Sequence, residues 1–343
     1  AGEVKGATGK PIETVVCIGI GGSDLGPRLV TAALGEPSGP VRLHLVSNID
    51  PTELDVALAG AEPETTLVVA ISKSFTTLET LENARAALAW LKSRAPALDA
   101  RRHLAAITSQ PERAQAFGTD AALVFTFAEW VGGRYSVWSP CGLPIAVAHG
   151  PAAFDELLRG AAALDRHFVE APPARNLPLL LGLLGVWYVN FWGCRSRAVI
   201  PYAQRLRHLP AYLQQLEMES NGKGVTRDGQ PVRWTTGTVL WGEPGSNGQH
   251  SFFQLLHQGT RLVPCDFIAF AHPLCPLDHH HDMLLANVLA QAEALAFGRT
   301  AEEVSAEGTP ARLVPHRTFP GNRPSNTLLL DRLTPRSLGG LVA

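Results

Sequence analysis

The feature that most limits the possible folds is an alternation of strand and helix patterns in the first part of the chain. Short runs of apolar and β-branched residues predict strands at 14–20, 41–46, 66–71, 103–107 and 123–127, and helical patterns at 25–34 and 78–92 lie between them. Continuously apolar strands separated by helices are typical of a parallel sheet with helices on both faces. We therefore predict an α/β fold with a doubly wound sheet.

The pattern changes after residue 150. Helices are predicted at 152–164 and 177–194, strands at 198–201, 233–240 and 262–270, and a long helix at 282–297. A length of 343 residues favours about two domains. We expect a larger parallel-sheet domain at 1–150, a helical connection at 151–195 and a second, smaller parallel-sheet domain at 196–343. Because the chain lacks an initial Met and has no terminal signal, we also expect it to be cut at both ends.

Composition excludes several classes of protein. A hydrophobic content of 45% and a charged content of 17% describe a soluble globular protein, and a net charge of -2 argues against a nucleic-acid-binding surface over the whole molecule. The five cysteines are scattered and odd in number, which predicts reduced thiols in the cytoplasm. The apolar segment 177–192 is short for a membrane span and contains Tyr188 and Asn190, so we predict a buried core helix.

A glycine-rich segment, Gly19–Gly26, connects the first predicted strand to the first predicted helix. Ligands of parallel sheets bind at the carboxyl ends of strands, where glycines let backbone N–H groups approach an anion. The segment fails the dinucleotide fingerprint GxGxxG because Asp24 replaces the third glycine, and a carboxylate there would repel a pyrophosphate. The segment favours a small phosphate or sugar site, and a tight structural turn is the alternative.

A second polar segment, Ser72–Thr77, ends the third predicted strand. Its four hydroxyl groups and the ammonium group of Lys73 are the hydrogen-bond donors that a phosphate monoester requires. The alternative is a simple helix N-cap, which would need only one hydroxyl. We therefore predict a phosphate site.

Two loops carry a basic side chain. Arg134 follows two glycines after the fifth strand, so the backbone could bring a permanent cation close to a bound anion or a developing oxyanion. His250 ends a turn-rich segment at 241–250 and could transfer protons near neutral pH. The alternatives are a surface-turn arginine and an incidental loop histidine.

The helical pattern at 213–218 ends at Ser220–Gly222, which places Glu219 at a helix C-terminus. There the helix dipole would raise the pKa of this carboxyl group, as suits a general base. Glu217 would point to roughly the opposite side of the helix, so the two carboxylates are not a catalytic pair. A solvated acidic helix end is the alternative.

Three consecutive histidines, residues 279–281, lie between Asp278 and Asp282. Adjacent residues of a helix point about 100° apart, and the usual zinc-ligand spacings are absent. We therefore predict no metal site.

Six motifs, in this order along the chain, resemble the phosphoglucose isomerase family. They are IGIGGSDLGP (18–27), SKSFTTLET (72–80), WVGGRYSVWS (130–139), LPAYLQQLEMESNGK (209–223), WGEPGSNGQHSFFQLLHQG (241–259) and FPGNRPSN (319–326). The resemblance extends over essentially all 343 residues. It implies an α/β fold of two sugar-isomerase (SIS) domains, each with a doubly wound parallel sheet.

The resemblance also implies the interconversion of glucose 6-phosphate and fructose 6-phosphate, without a cofactor or a metal. The implied substrate-binding residues are Gly22, Ser23, Ser72, Lys73, Ser74, Phe75, Thr76, Thr77 and Gln215. Glu219 would move a proton between C1 and C2, His250 would help to open the sugar ring, and Arg134 would stabilise the enediolate. The implied partner is a second copy of the chain, because in this family the histidine enters the site from the other subunit; no nucleic acid or membrane is implied.

The chain departs from the family in three ways. Ser74 stands where the family usually has threonine, the family's chains extend beyond both ends, and the family's late catalytic lysine falls past Ala343. A non-catalytic module that binds sugar phosphates is therefore the alternative. A nicotinamide-dependent oxidoreductase is a third hypothesis, which Asp24 disfavours.

Overall fold

The computed structural model describes residues 4–37 and 39–343. The chain forms two compact units, Ala1–Gly160 and Ala161–Ala343, and each contains one parallel sheet. The predicted α/β class with two parallel sheets is confirmed.

The sheet of the first unit has the strand order β2-β1-β3-β4-β5, and all its pairs are parallel. The strands are β1 (Thr14–Ile18), β2 (Arg42–Val46), β3 (Thr66–Ile71), β4 (Leu104–Thr108) and β5 (Val124–Thr126). The helices are α1 (Leu25–Leu34), α2 (Thr52–Ala59), α3 (Leu78–Arg94), α4 (Pro111–Phe117) and α5 (Leu143–His149), and α6 (Pro151–Glu170) begins in this unit and ends in the second. The chain leaves β1 toward β2 on one side and later continues through β3 on the other. In such sheets, the crevice between β1 and β3 is where ligands bind.

Helices cover both faces of this sheet because alternate side chains of each strand point in opposite directions. Val16 and Ile18 are fully buried in a cluster with Leu91 of α3, whereas Val15 and Cys17 pack on the other face. Complete burial of one such aliphatic side chain contributes about 1.5–3 kcal/mol.

The second unit has a four-stranded parallel sheet in the order β7-β6-β8-β9. The strands are β6 (Ser196–Pro201), β7 (Val239–Trp241), β8 (Cys265–Phe270) and β9 (Ser325–Leu330). The helices are α7 (Leu177–Asn190), α8 (Leu209–Leu213), α9 (Gly245–Gln249), α10 (Phe253–Gln258), α11 (Asp278–Phe297), α12 (Ala301–Ala306), α13 (Val314–Arg317) and α14 (Pro335–Val342). Ile200, Phe267 and Val288 lie in its core.

Three expectations for this unit need correction. The strand predicted at 233–240 is almost entirely irregular, since only Val239–Trp241 pairs with β6. Strand β9 was not predicted, because its polar start and half-exposed side chains lack the apolar run of a central strand. Helix α7 forms, but the prediction that it lies in the core is wrong: Tyr188 is its only buried residue, and Leu183 and Val186 are 56% and 55% exposed.

None of the helices within 4–37 and 39–343 is both long and apolar enough to cross a membrane.

Candidate active site

A cavity of about 520 Å³ opens at the carboxyl edge of the first sheet. Its walls come from the segments that follow four different strands. It lies at the ends of β1 and β3, where the connections to the next strands leave in opposite directions, as expected for this strand order. The lining residues are Ile20, Gly22, Ser23, Ile71, Ser72, Lys73, Ser74, Thr77, Thr80, Ser109, Gln110, Arg113, Glu129 and Gly133.

The segment Ser72–Thr77, called here the phosphate loop, contributes three of the six hydroxyl groups that line the cavity. The hydroxyls of Ser72 and Thr77 lie 3.0 Å apart, and those of Ser74 and Thr76 lie 2.7 Å apart. In each pair one hydroxyl donates to the other, so the second keeps its proton for a ligand. Thr76 is exposed and does not line the cavity, although it was predicted to bind substrate.

Phe75 fixes the shape of the phosphate loop. Its backbone has φ of 49°, a left-handed conformation that is costly for an aromatic residue, by about 1–3 kcal/mol. Its ring is 3% exposed and meets the ring of Phe117 edge to face at 5.7 Å between centroids. Burial of the ring offsets the backbone strain. The Phe75 side chain therefore points into the core and does not line the cavity, although Phe75 was predicted to bind substrate.

The loops after β1 and β5 are in close contact. A Cβ added to Gly22 would lie 2.1 Å from the carbonyl atoms of Gly133 and 2.6 Å from the nitrogen of Arg134, so only glycine fits at position 22. The Ser136 hydroxyl also donates to the Gly22 carbonyl, at 3.2 Å. This contact fixes the backbone of Arg134, whose guanidinium group lies 5.1 Å from the centroid of the Tyr135 ring.

Asp24 does not line the cavity. Its carboxylate is buried and accepts hydrogen bonds from Nε of Arg28 at 2.9 and 3.0 Å. Burial raises the pKa of Asp24, and the Arg28 guanidinium opposes that effect. The expected direct repulsion of a pyrophosphate by this carboxylate is therefore wrong, because the carboxylate faces Arg28.

Gln215 and Glu219 lie on a π-helical segment, Gln214–Glu219, that continues α8. Such segments are rare and are frequent at functional sites. Helical structure continues through Asn221, so Glu219 lies within the last turn, with an exposed side chain. Its backbone carbonyl accepts from the Lys223 ammonium group.

The neighbouring residue Glu217 accepts a hydrogen bond from Asn221 Nδ2 at 2.9 Å. That Glu217 and Glu219 do not form a catalytic pair stays a prediction.

His250 directly follows α9 and is exposed. The preceding residue, Gln249, anchors this turn by donating to the Tyr202 hydroxyl at 2.7 Å and contacting Asn287. Gly245 packs so closely on Tyr202 that a Cβ there would lie 2.3 Å from the ring. These contacts hold the turn from which the His250 side chain extends.

His279, His280 and His281 lie at the start of α11; the first two are exposed, and His281 is half-buried with its Nε2 3.2 Å from the Ala271 carbonyl oxygen. Within the described ranges, no group of three or more His, Cys, Asp or Glu side chains is arranged to hold a metal ion.

The sequence model of phosphoglucose isomerase matches residues 1–343. The chain belongs to the phosphoglucose isomerase family. Two of its relatives, from Roseiflexus sp. (strain RS-1) and Deinococcus radiodurans, are named glucose-6-phosphate isomerase and are 55% and 53% identical to it. Each alignment covers 100% of this chain and 64% of the relative, so the chain spans slightly less than two thirds of their length.

Two solved structures are similar to this chain over most of its length. A crystal structure of a glucose-6-phosphate isomerase from Chlamydia trachomatis has a TM-score of 0.85 at 40% identity, over 96% of this chain and 63% of that one. A hypothetical protein from Thermus thermophilus has a TM-score of 0.71 at 31% identity, over 96% of this chain and 75% of that one.

The structure of this phosphoglucose isomerase family member adds five polar cavity residues that were not predicted as site residues. They are Thr80, Ser109, Gln110, Arg113 and Glu129. A signal for three of them was present, because Ser109–Arg113 follow β4 and the carboxyl ends of neighbouring parallel strands meet at one edge. Thr80 lies one helical turn after Thr77; its hydroxyl is buried and has no partner among the described residues.

Proposed function

We propose that this chain belongs to a glucose-6-phosphate isomerase that interconverts glucose 6-phosphate and fructose 6-phosphate. The observation that carries the proposal is the cavity between β1 and β3, where serine and threonine hydroxyls meet the ammonium group of Lys73. The names of the relatives give it independent support.

The cavity suits the phosphate group of such a substrate. Ser23, Ser72, Ser74 and Thr77 offer hydroxyl donors, and Lys73 offers a positive charge. Hydrogen bonds to a charged acceptor are roughly twice as strong as those between neutral groups. A phosphate monoester would therefore be held firmly while the sugar reacts elsewhere.

The isomerisation needs one carboxylate that moves a proton between adjacent carbons. In the proposed reaction, Glu219 removes the proton from C2 of open-chain glucose 6-phosphate. The C–H electron pair forms the C1=C2 double bond, and the electrons of the C1 carbonyl become the negative charge on O1 of a cis-enediolate. A proton then moves from O2 to O1 through the cis-enediol, Glu219 returns its proton to C1, and the electrons left on O2 form the C2 carbonyl of fructose 6-phosphate. Proton transfer of this kind typically accelerates a reaction by about 10²–10⁴-fold.

The other predicted residues take supporting parts in this proposal. Arg134 stabilises the negative charge of the enediolate, as a fixed donor stabilises an oxyanion. His250 transfers the proton that opens the sugar ring, and Gly22 and Gln215 line the sugar. None of these steps calls for a cofactor.

We also propose a homodimer in which each subunit supplies its His250 to the other, and a cytoplasmic location without a nucleic-acid or membrane partner. The exposed His250 side chain is compatible with the dimer. All five cysteines are unpaired, four of them buried, which suits a reducing compartment.

The test compares the Glu219→Gln variant with a matched control, Glu217→Gln. Conversion of fructose 6-phosphate is followed in a coupled assay with the whole protein. Loss of the base should lower kcat by about three orders of magnitude. The control removes a carboxylate two residues away and should stay within about threefold of the unmodified protein, since its partner is Asn221. Equal loss in both variants would contradict the role of Glu219, and binding of sugar phosphate without turnover by the unmodified chain would indicate a binding module.

A further inference from the structure

Two successive backbone carbonyl groups of the phosphate loop are held by the segment after β4. The Lys73 carbonyl accepts three hydrogen bonds, from the Ser109 N–H at 3.1 Å, the Ser109 hydroxyl at 2.9 Å and the Thr108 hydroxyl at 3.0 Å. The Ser74 carbonyl accepts from Nη1 of Arg113 at 2.8 Å. Both carbonyl oxygens are thus turned toward the β4–α4 connection.

The orientation of these carbonyl groups determines whether carbonyl oxygens or amide N–H groups of the phosphate loop face a ligand. A carbonyl oxygen carries partial negative charge and would repel a phosphate dianion, whereas an amide N–H would attract it. Because the peptide unit is planar and trans, its N–H points away from its carbonyl oxygen. The N–H of Ser74 therefore points away from the group that holds the Lys73 carbonyl, and it donates to no atom of residues 4–37 and 39–343.

Arg113 also adds charge to the cavity. Lys73 and Arg113 are the two cationic side chains among its lining residues, and Glu129 is the only carboxylate. The Glu129 carboxylate accepts a hydrogen bond from Gln110 Nε2 at 2.7 Å, and this donor partly offsets the negative charge of the carboxylate. Helix α4 makes a second contact with the phosphate loop, because its residue Phe117 packs against the ring of Phe75.

We propose that Arg113 is a positioning residue for the phosphate site. Its guanidinium group keeps the Ser74 carbonyl away from the ligand and supplies a second positive charge, and thereby raises the affinity for a phosphate monoester without contacting the reacting carbons. The activity measurement below rests on the proposed isomerase function, whereas the binding measurement does not.

The test uses inorganic phosphate as the probe and Arg113→Met as the main variant. Methionine keeps most of the side-chain length and removes both the charge and the donor. We expect the Kd of phosphate, measured by calorimetry on the whole protein, to rise by about tenfold, because the variant removes one of the two positive charges of the cavity and frees the Ser74 carbonyl to turn toward the anion. For fructose 6-phosphate, KM should rise by a similar factor while kcat stays within about twofold, because the chemistry is untouched.

Two further variants make the result specific. Arg113→Lys retains the charge and a donor and should recover most of the phosphate affinity. Arg102→Met removes an exposed arginine from the turn before β4, at the opposite end of the same strand, and should leave the Kd unchanged.

An unchanged Kd for phosphate in Arg113→Met would overturn the proposal, as would an equal loss in Arg102→Met. A fall in kcat with an unchanged KM would also overturn it, because Arg113 would then act in the chemical step. If the unmodified protein shows no turnover, the proposed function fails, but the phosphate Kd values still decide the role of Arg113.

Discussion

The contact between Gly22 and the segment at Gly133 and Arg134 predicts a large effect from one methyl group. In Gly22→Ala, the new Cβ would lie 2.1 Å from the Gly133 carbonyl atoms, whereas ordinary contacts begin near 3.4 Å, so the two loops must separate by about 1.3 Å. Overpacking of this kind costs about 1–3 kcal/mol. A displacement of about 1 Å in a catalytic group can lower turnover by about 10²-fold. We therefore expect kcat for fructose 6-phosphate to fall by about two orders of magnitude.

The assay pairs turnover with urea denaturation, so that loss of fold and displacement of Arg134 can be separated. Gly39→Ala is the control in the same unit, because Gly39 does not line the cavity and a Cβ there meets no atom within 4 Å, so both kcat and the urea midpoint should stay nearly unchanged. A Gly22→Ala variant with kcat within about threefold of the unmodified protein and an unchanged midpoint would refute the reasoning, since the close contact would then have no functional cost.

Two further predictions concern stability. Phe75→Ala should lower the free energy of unfolding by about 3–5 kcal/mol, because it removes a buried ring, and phosphate binding should be lost with it; Phe168→Ala, at a residue that is 53% exposed, is the control in the same urea titration. Burial acts to raise the pKa of Glu53, but hydrogen bonds from Ser47 and the charge of Arg28 outweigh it and hold this pKa below 4.5. A depressed carboxyl pKa stabilises the fold above the ordinary value, and that contribution is lost as the pH falls through the folded-state pKa. Glu53→Gln should therefore lower the urea midpoint near pH 7, and the difference from the unmodified protein should shrink near pH 3; a difference that grows in acid would contradict the assignment.

The repeated secondary structure could be predicted because it depends on local patterns. Strand β3 is a run of apolar and β-branched residues between polar segments, and its predicted and observed bounds agree. The segment 233–240 was predicted as a strand because it also contains apolar and β-branched residues, but only its end pairs with β6. Whether a segment pairs with a neighbouring strand depends on the tertiary structure and not on its own residues alone. Apolar character predicted helix α7 but not its exposure, because the sequence contains no information on which neighbour covers each face.

The site could be predicted in part. Its hydroxyls and Lys73 follow strand ends, where the topology of a parallel sheet places ligand groups. The same rule points to Arg113, which follows β4, but not to its hydrogen bond with the Ser74 carbonyl, because that contact joins residues 39 positions apart in the sequence. The burial of Phe75 could not be predicted either, because no sequence pattern indicates a left-handed backbone at an aromatic residue.

The anchored ring of Phe75 also has a consequence for the thermodynamics of ligand association. A loop that is disordered before binding loses conformational entropy when the ligand arrives and buries apolar surface at that moment, which makes the heat capacity change strongly negative. Here the ring is already in the core, so the loop is ordered when the protein folds. In the proposed isomerase, association of a phosphorylated sugar would therefore carry little entropic penalty from the loop and only a small change in heat capacity.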